Sequence, residues 1–181
     1  MQRSREAETG CHEIIGSTER GMGKRFAIVA AQFHDQLTRP LVDGALEVLR
    51  AAGVAERDIT IVWVPGSFEL PVAALRLAQS RRCDGIICLG VVIRGETPHF
   101  EHVAGEAARG IAEVGRSTGI PTIFGVVTAE SIAQAVERAG GRHGNRGADA
   151  AKTALAMADV LTQLASDPQK VSDTFCGKEE R

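Results

Sequence analysis

Four short apolar runs, each followed by a segment of helical period, constrain this chain more than any other feature. The runs fall at 26–31, 59–64, 84–92 and 121–127 and are rich in Val, Ile, Leu and Ala. After the first, Leu37, Leu41, Ala45, Val48 and Leu49 recur at helical spacing, and the pattern stops near Gly53. A second helix is expected from Ser67 or Phe68 to about Gln79, with Pro71 in its first turn, where the missing N–H costs nothing. A third is expected over 98–118, with Val103, Ala107, Gly110, Ile111 and Val114 on one face. Two more are expected at 130–139 and 148–164, joined by the glycine-rich segment 140–147. Strands that are apolar along their whole length are buried on both faces. The alternation therefore indicates a parallel sheet with helices covering each side.

The expected fold is α/β, a three-layer αβα sandwich on a four-stranded parallel sheet of flavodoxin-like type. A length of 181 residues suits one domain with tails. The expected division is an N-terminal arm over 1–24, a domain over 25–165 and a polar, mobile tail over 166–181. With 44% hydrophobic residues the chain can build a core, and a net charge of -2 carries no nucleic-acid footprint. No apolar run reaches membrane-spanning length. The first twenty residues mix charges of both signs and do not read as a secretory leader. Cys11, Cys83, Cys88 and Cys176 show neither metal spacing nor a disulfide framework. Cys83 and Cys88 read as buried thiols, and a reducing cytoplasm is the expected setting.

Parallel sheets of this kind bind ligands beyond the carboxyl ends of their strands. Phe33 and His34 follow the first strand, Ser67, Phe68 and Glu69 the second, and 90–99 the third; Phe124 falls near the end of the fourth. After the third strand, Thr97 stands where an N-cap should be, Pro98 at the first helical position, and His99 in the first turn. Free N–H groups at a helix start favour anions, so a histidine there suggests proton transfer beside a phosphate. His102 lies one turn on, but no third ligand at regular spacing makes a metal site of the pair. By spacing alone, Arg138 reads as a cation at a helix C-terminus and Arg146 as solvated loop charge. Phe33 reads equally as a stacking platform or a core plug. No Gly-x-Gly-x-x-Gly follows the first strand and no P-loop occurs, so neither a dinucleotide nor a triphosphate cofactor is expected.

Several ordered blocks resemble the 6,7-dimethyl-8-ribityllumazine synthase family, which acts one step before the end of riboflavin biosynthesis. They are Phe33, Val-Pro-Gly-Ser-Phe-Glu-Leu-Pro at 64–71, Leu-Gly-Val-Val-Ile-Arg-Gly-Glu-Thr-Pro-His-Phe at 89–100, Ile-Phe-Gly-Val-Val-Thr at 123–128, Gln-Ala-Val-Glu-Arg-Ala-Gly at 134–140 and Gly-Asn-Arg-Gly at 144–147. The resemblance runs from about Glu13 to about Leu164. It implies condensation of 5-amino-6-(D-ribitylamino)uracil with 3,4-dihydroxy-2-butanone 4-phosphate, with loss of phosphate and water. It implies no metal and no organic cofactor. Phe33 would stack on the pyrimidine, and Ser67, Phe68 and Glu69 would line the ribityl chain. Val91, Val92 and Ile93 would offer backbone groups to the uracil edge. Glu96 and Thr97 would lie at the phosphate, and His99 would move the proton. Phe124 and Arg138 would reach the site from a neighbouring subunit, with Arg138 clamping the phosphate. His34 stands where the family commonly has asparagine, and Arg146 where it has lysine. The resemblance also implies a homo-oligomer built on pentamers. The short 140–147 segment and the Glu13-Ile-Ile-Gly stretch look like the members that form sixty-subunit shells, with riboflavin synthase as a partner. Two rivals share the fold: a shell or scaffold protein, and a flavin-binding paralogue without turnover.

Overall fold

The computed structural model describes residues 13–166. Cys11, Cys176 and nearly all of the expected tail lie outside the described residues. The elements run β1 (Phe26–Ala31), α1 (Asp35–Ala51), β2 (Ile59–Val64), α2 (Leu70–Gln79), β3 (Gly85–Ile93), α3 (His99–Thr118), β4 (Thr122–Ala129), α4 (Ile132–Arg138), β5 (Ala139–Gly141), β6 (Gly144–Asn145) and α5 (Arg146–Ser166). The first four strands form one parallel sheet in the order β2-β1-β3-β4. This is the three-layer α/β sandwich expected of the sequence.

The strand alternation sorts the core into two layers. Phe26, Ile28 and Ala30 of β1 and Ile87, Leu89 and Val91 of β3 meet Leu41, Ala45 and Leu49 of α1 and Ala151, Ala154 and Leu155 of α5. On the other face, Ala27, Val29, Ile86 and Cys88 meet Leu70 and Ala74 of α2 and Ile111 and Val114 of α3. Every residue of β1 is buried, because it sits inside the sheet with helices above and below. Cys88 is fully buried, and desolvation pushes its thiol up to about 12, so it stays protonated and inert. Both Cys83 and Cys88 are free buried thiols, as the sequence suggested.

Three boundaries differ from the sequence reading. Thr97 does not cap α3. The helix starts at His99, with Pro98 as the flanking residue and no side-chain cap. The Pro98 carbonyl already accepts the Glu101 N–H at 2.9 Å, so the first turn closes one residue later. The segment 140–147 is not a plain loop but contains the antiparallel pair β5–β6. α5 begins at Arg146 rather than Ala148, because the Asn145 side chain accepts from the N–H groups of Gly147 at 2.8 Å and Ala148 at 3.1 Å. A Cβ on Gly147 would meet the Leu41 carbonyl oxygen at 1.8 Å, so α5 approaches α1 backbone to backbone and only glycine fits.

The segment before β1 runs along α5. Asp159, 4% exposed, accepts from the Ser17 N–H at 3.0 Å and pairs with Arg20 at 3.6 Å. The Gln163 amide donates to the Ile15 carbonyl at 3.1 Å, and Lys24 Nζ to Thr162 Oγ1 at 2.9 Å. Gly16 lies so close to the Ala156 carbonyl that a side chain there has no room. No helix among the described residues is long and apolar enough to cross a membrane.

Candidate functional site

The β1–β2 pairing continues past the strand ends. The Gln32 N–H donates to Val64 O at 2.8 Å and the Phe33 N–H to Pro65 O at 3.0 Å. This sets Phe33 beside the short 3₁₀ turn Ser67–Glu69. His34 then reverses the chain into α1 in a left-handed conformation, φ 63°, with its ring edge against Phe33 at 4.6 Å. Ser67 is buried under Gly90, where a Cβ would meet its Oγ at 2.5 Å. Glycine at 90 therefore lets the turn sit directly on β3.

These elements enclose a pocket of about 370 Å³ at the carboxyl ends of β1, β2 and β3. Phe33, Ser67, Phe68, Glu69, Val91, Val92, Ile93, Thr97 and His99 all line it. His34, Gly95, Phe100 and Val103 complete the lining. Its size is that of small-molecule sites. Phe33 and Phe68 are 68% and 56% exposed, unusual for rings that large unless something covers them. His99 is exposed on the first turn of α3, open to a bound molecule. Glu96 is exposed on the loop but does not line the pocket.

Phe124 and Arg138 lie elsewhere. They line a second pocket, of about 570 Å³, with Thr128 of β4 and Arg146, Asp149 and Thr153 of α5. The two pockets share no lining residue. Phe124 is 43% exposed on the edge strand of the sheet. Among the described residues Arg138 has no ion-pair partner, because Glu137 holds Arg142 and Asp149 holds Arg146, each at 3.3 Å. A half-buried guanidinium left in this way is suited to an anion that arrives from outside. Among the described residues no three His, Cys, Asp or Glu side chains converge as metal ligands, and His102 finds no third partner beside His99.

Val103 was legible in principle, since it follows His99 by four residues on the same helical face, and Phe100 stands three residues before Val103. Asp149 and Thr153 carried no such signal, because only the packing of α5 on β4 brings them to Phe124.

A flavodoxin-like sandwich with an aromatic-lipped pocket over its central strands defines a small-molecule enzyme domain of the parallel α/β class. The family model of 6,7-dimethyl-8-ribityllumazine synthase matches residues 23–162, most of the chain. The chain belongs to that family. It is a transferase of riboflavin biosynthesis, condensing ribitylaminouracil with the butanone phosphate to give 6,7-dimethyl-8-ribityllumazine. The family acts on small molecules and works as oligomers.

Proposed function

We propose that each catalytic centre is completed between two neighbouring subunits. One contributes the pocket around Phe33 and His99, and the other contributes Phe124 and Arg138. The observation that carries this reading is the division of one substrate set between two pockets without a common residue. The pyrimidine lies on Phe33, a flat apolar face for an uncharged ring. Its ribityl chain runs along Ser67, Phe68 and Glu69, whose carboxylate accepts from hydroxyls. Backbone groups of Val91, Val92 and Ile93 meet the uracil edge. The butanone phosphate lies at Glu96 and Thr97, Glu96 acting through its backbone, with the neighbour's Arg138 neutralising the leaving group.

Amine attack on the ketone, loss of phosphate and ring closure each move a proton near neutrality. An imidazole changes charge in that range, and His99 is the group that does this work. A ring of subunits follows from shared centres, since head-to-tail contacts that close give rings. The ring is a pentamer, twelve of which form a sixty-subunit shell. In that shell the Glu13-to-Gly16 stretch pairs with a neighbouring sheet edge, and riboflavin synthase is a partner. The domain spans 25–165 between an arm and a polar tail, and the setting is cytoplasmic.

Mixing the protein with both substrates, and following lumazine absorbance alongside light scattering, tests the reading. Turnover by a species with the mass of a single chain sinks the shared centre. A mass of five or ten chains sinks only the shell. Phe33→Ala is expected to weaken pyrimidine binding by about 1–3 kcal/mol through lost stacking. Calorimetry with a substrate analogue reads this directly, and an unchanged affinity makes Phe33 a structural plug.

A further inference from the structure

Arg94, at the exit of β3, carries none of the roles assigned above. Its N–H donates to the Ala129 carbonyl at 2.9 Å, continuing the β3–β4 ladder past the register pair Ile93–Ala129. Its guanidinium pairs with Glu130 at 2.7 Å and with Glu101 at 3.4 Å, and lies over the Phe100 ring at 4.9 Å. Phe100 and Glu101 follow His99 directly in the first turn of α3. Glu130 precedes Ser131, the N-cap of α4, and α4 ends on Arg138.

Between Arg94 and Pro98, no hydrogen bond ties Gly95, Glu96 or Thr97 to the rest of the described residues. The loop that leads into His99 is therefore held at its base by a side chain. Arg94 starts the loop, and its guanidinium reaches across to the residues just beyond it. A planar fork can stack on Phe100 and serve two carboxylates at once, which a lysine ammonium on a flexible stem cannot do.

We propose that Arg94 is a positioning residue that closes the His99 loop and ties it to the segment bearing Arg138. This rests on the reading of His99 as the proton-transfer group. Arg94 acts on its own centre through His99 and the phosphate-side loop bearing Glu96 and Thr97, and on the neighbouring centre through the Arg138 of its own chain, not through the Phe33 side. The Arg94 side chain is 43% exposed, so its ion pairs are screened and add little to overall stability. Loss of Arg94 thus costs geometry rather than folding.

The test compares Arg94→Met, Arg94→Lys, Glu130→Gln and His99→Ala in the full chain, with both substrates. Arg94→Met is expected to lower kcat about tenfold and raise KM for the butanone phosphate, since small misplacements are costly in rate. Arg94→Lys recovers part of the loss. Calorimetric affinity for a pyrimidine analogue, melting temperature and assembly mass stay at wild-type values. The effect of Glu130→Gln largely vanishes in the Arg94→Met background, because the two share one contact. Wild-type kinetics in Arg94→Met, with His99→Ala slow, overturns the proposal alone. Wild-type kinetics in His99→Ala overturns the His99 reading and this proposal with it. Equal loss of pyrimidine affinity in Arg94→Met overturns the positioning role in favour of a general structural one.

Discussion

His99→Ala is expected to lower kcat about 10²-fold, at the low end of what acid–base catalysis supplies. The low end follows from the chemistry. Condensation of an amine with a ketone is easy, and the pocket still holds the partners together after the imidazole is gone. His99 stands on the first turn of α3, exposed and lining the pocket with Thr97 and Ile93. Alanine there keeps the helix and removes only the ring, so KM for both substrates should change little. Steady-state rates with each substrate varied in turn decide the matter. Wild-type rates throughout would remove His99 from the mechanism.

The second large effect concerns Arg138. Arg138→Ala should raise KM for the butanone phosphate about 10- to 100-fold, the worth of one or two charged hydrogen bonds to phosphate. Pyrimidine affinity should change far less. Because Arg138 and His99 belong to pockets on different parts of the chain, the two defects should also complement each other. Subunits carrying His99→Ala, mixed and reassembled with subunits carrying Arg138→Ala, should regain activity. In a ring with random neighbours, about a quarter of the centres pair two intact halves. Recovery toward that level, with mixed assembly shown by mass, is the expected result. An unchanged KM in the single mutant would end the clamp role. Mixed rings that stay inactive would end the shared centre.

The sheet was legible because burial on both faces leaves a continuous apolar run, as in Phe26–Ala31 and Gly85–Ile93. The predicted residues that line the first pocket were legible because they lie at the carboxyl ends of strands or just beyond them, where a parallel sheet presents its ligands. What stayed hidden depends on contacts distant in sequence. The β5–β6 pair is too short to show a period. It turns through Gly140 and Gly144, both at positive φ, and Asn145 is anchored to the Pro40 carbonyl at 2.8 Å. Nothing within 140–147 announces that partner. Thr97 looked like a cap because its residue type fits, yet the Pro98 carbonyl closes the turn instead. The left-handed backbone of His34 leaves no mark in composition, although histidine tolerates that region better than most residues. The separation of the candidate residues into two pockets was implied by the family resemblance but not by spacing, since Arg138 by spacing looked only like a helix-end charge.

The clasp on the N-terminal segment sets a schedule for biogenesis. Ile15, Ser17, Arg20 and Lys24 all take their partners from α5, and Ser17 is 142 residues from Asp159. A ribosome adding about 5–20 residues per second needs roughly 7 to 28 s to cross that interval. All four strands of the main sheet are made before α5, so the segment waits beside a nearly finished fold. Throughout that wait the Gly21 N–H can already meet the Ala52 carbonyl, 3.0 Å away in the finished fold, but the stretch around Ile15 and Ser17 has none of its α5 partners. The stretch from Ile15 to Arg20 is thus made early and seated late, and a nascent chain cannot present it in its final course to another copy until α5 has been made.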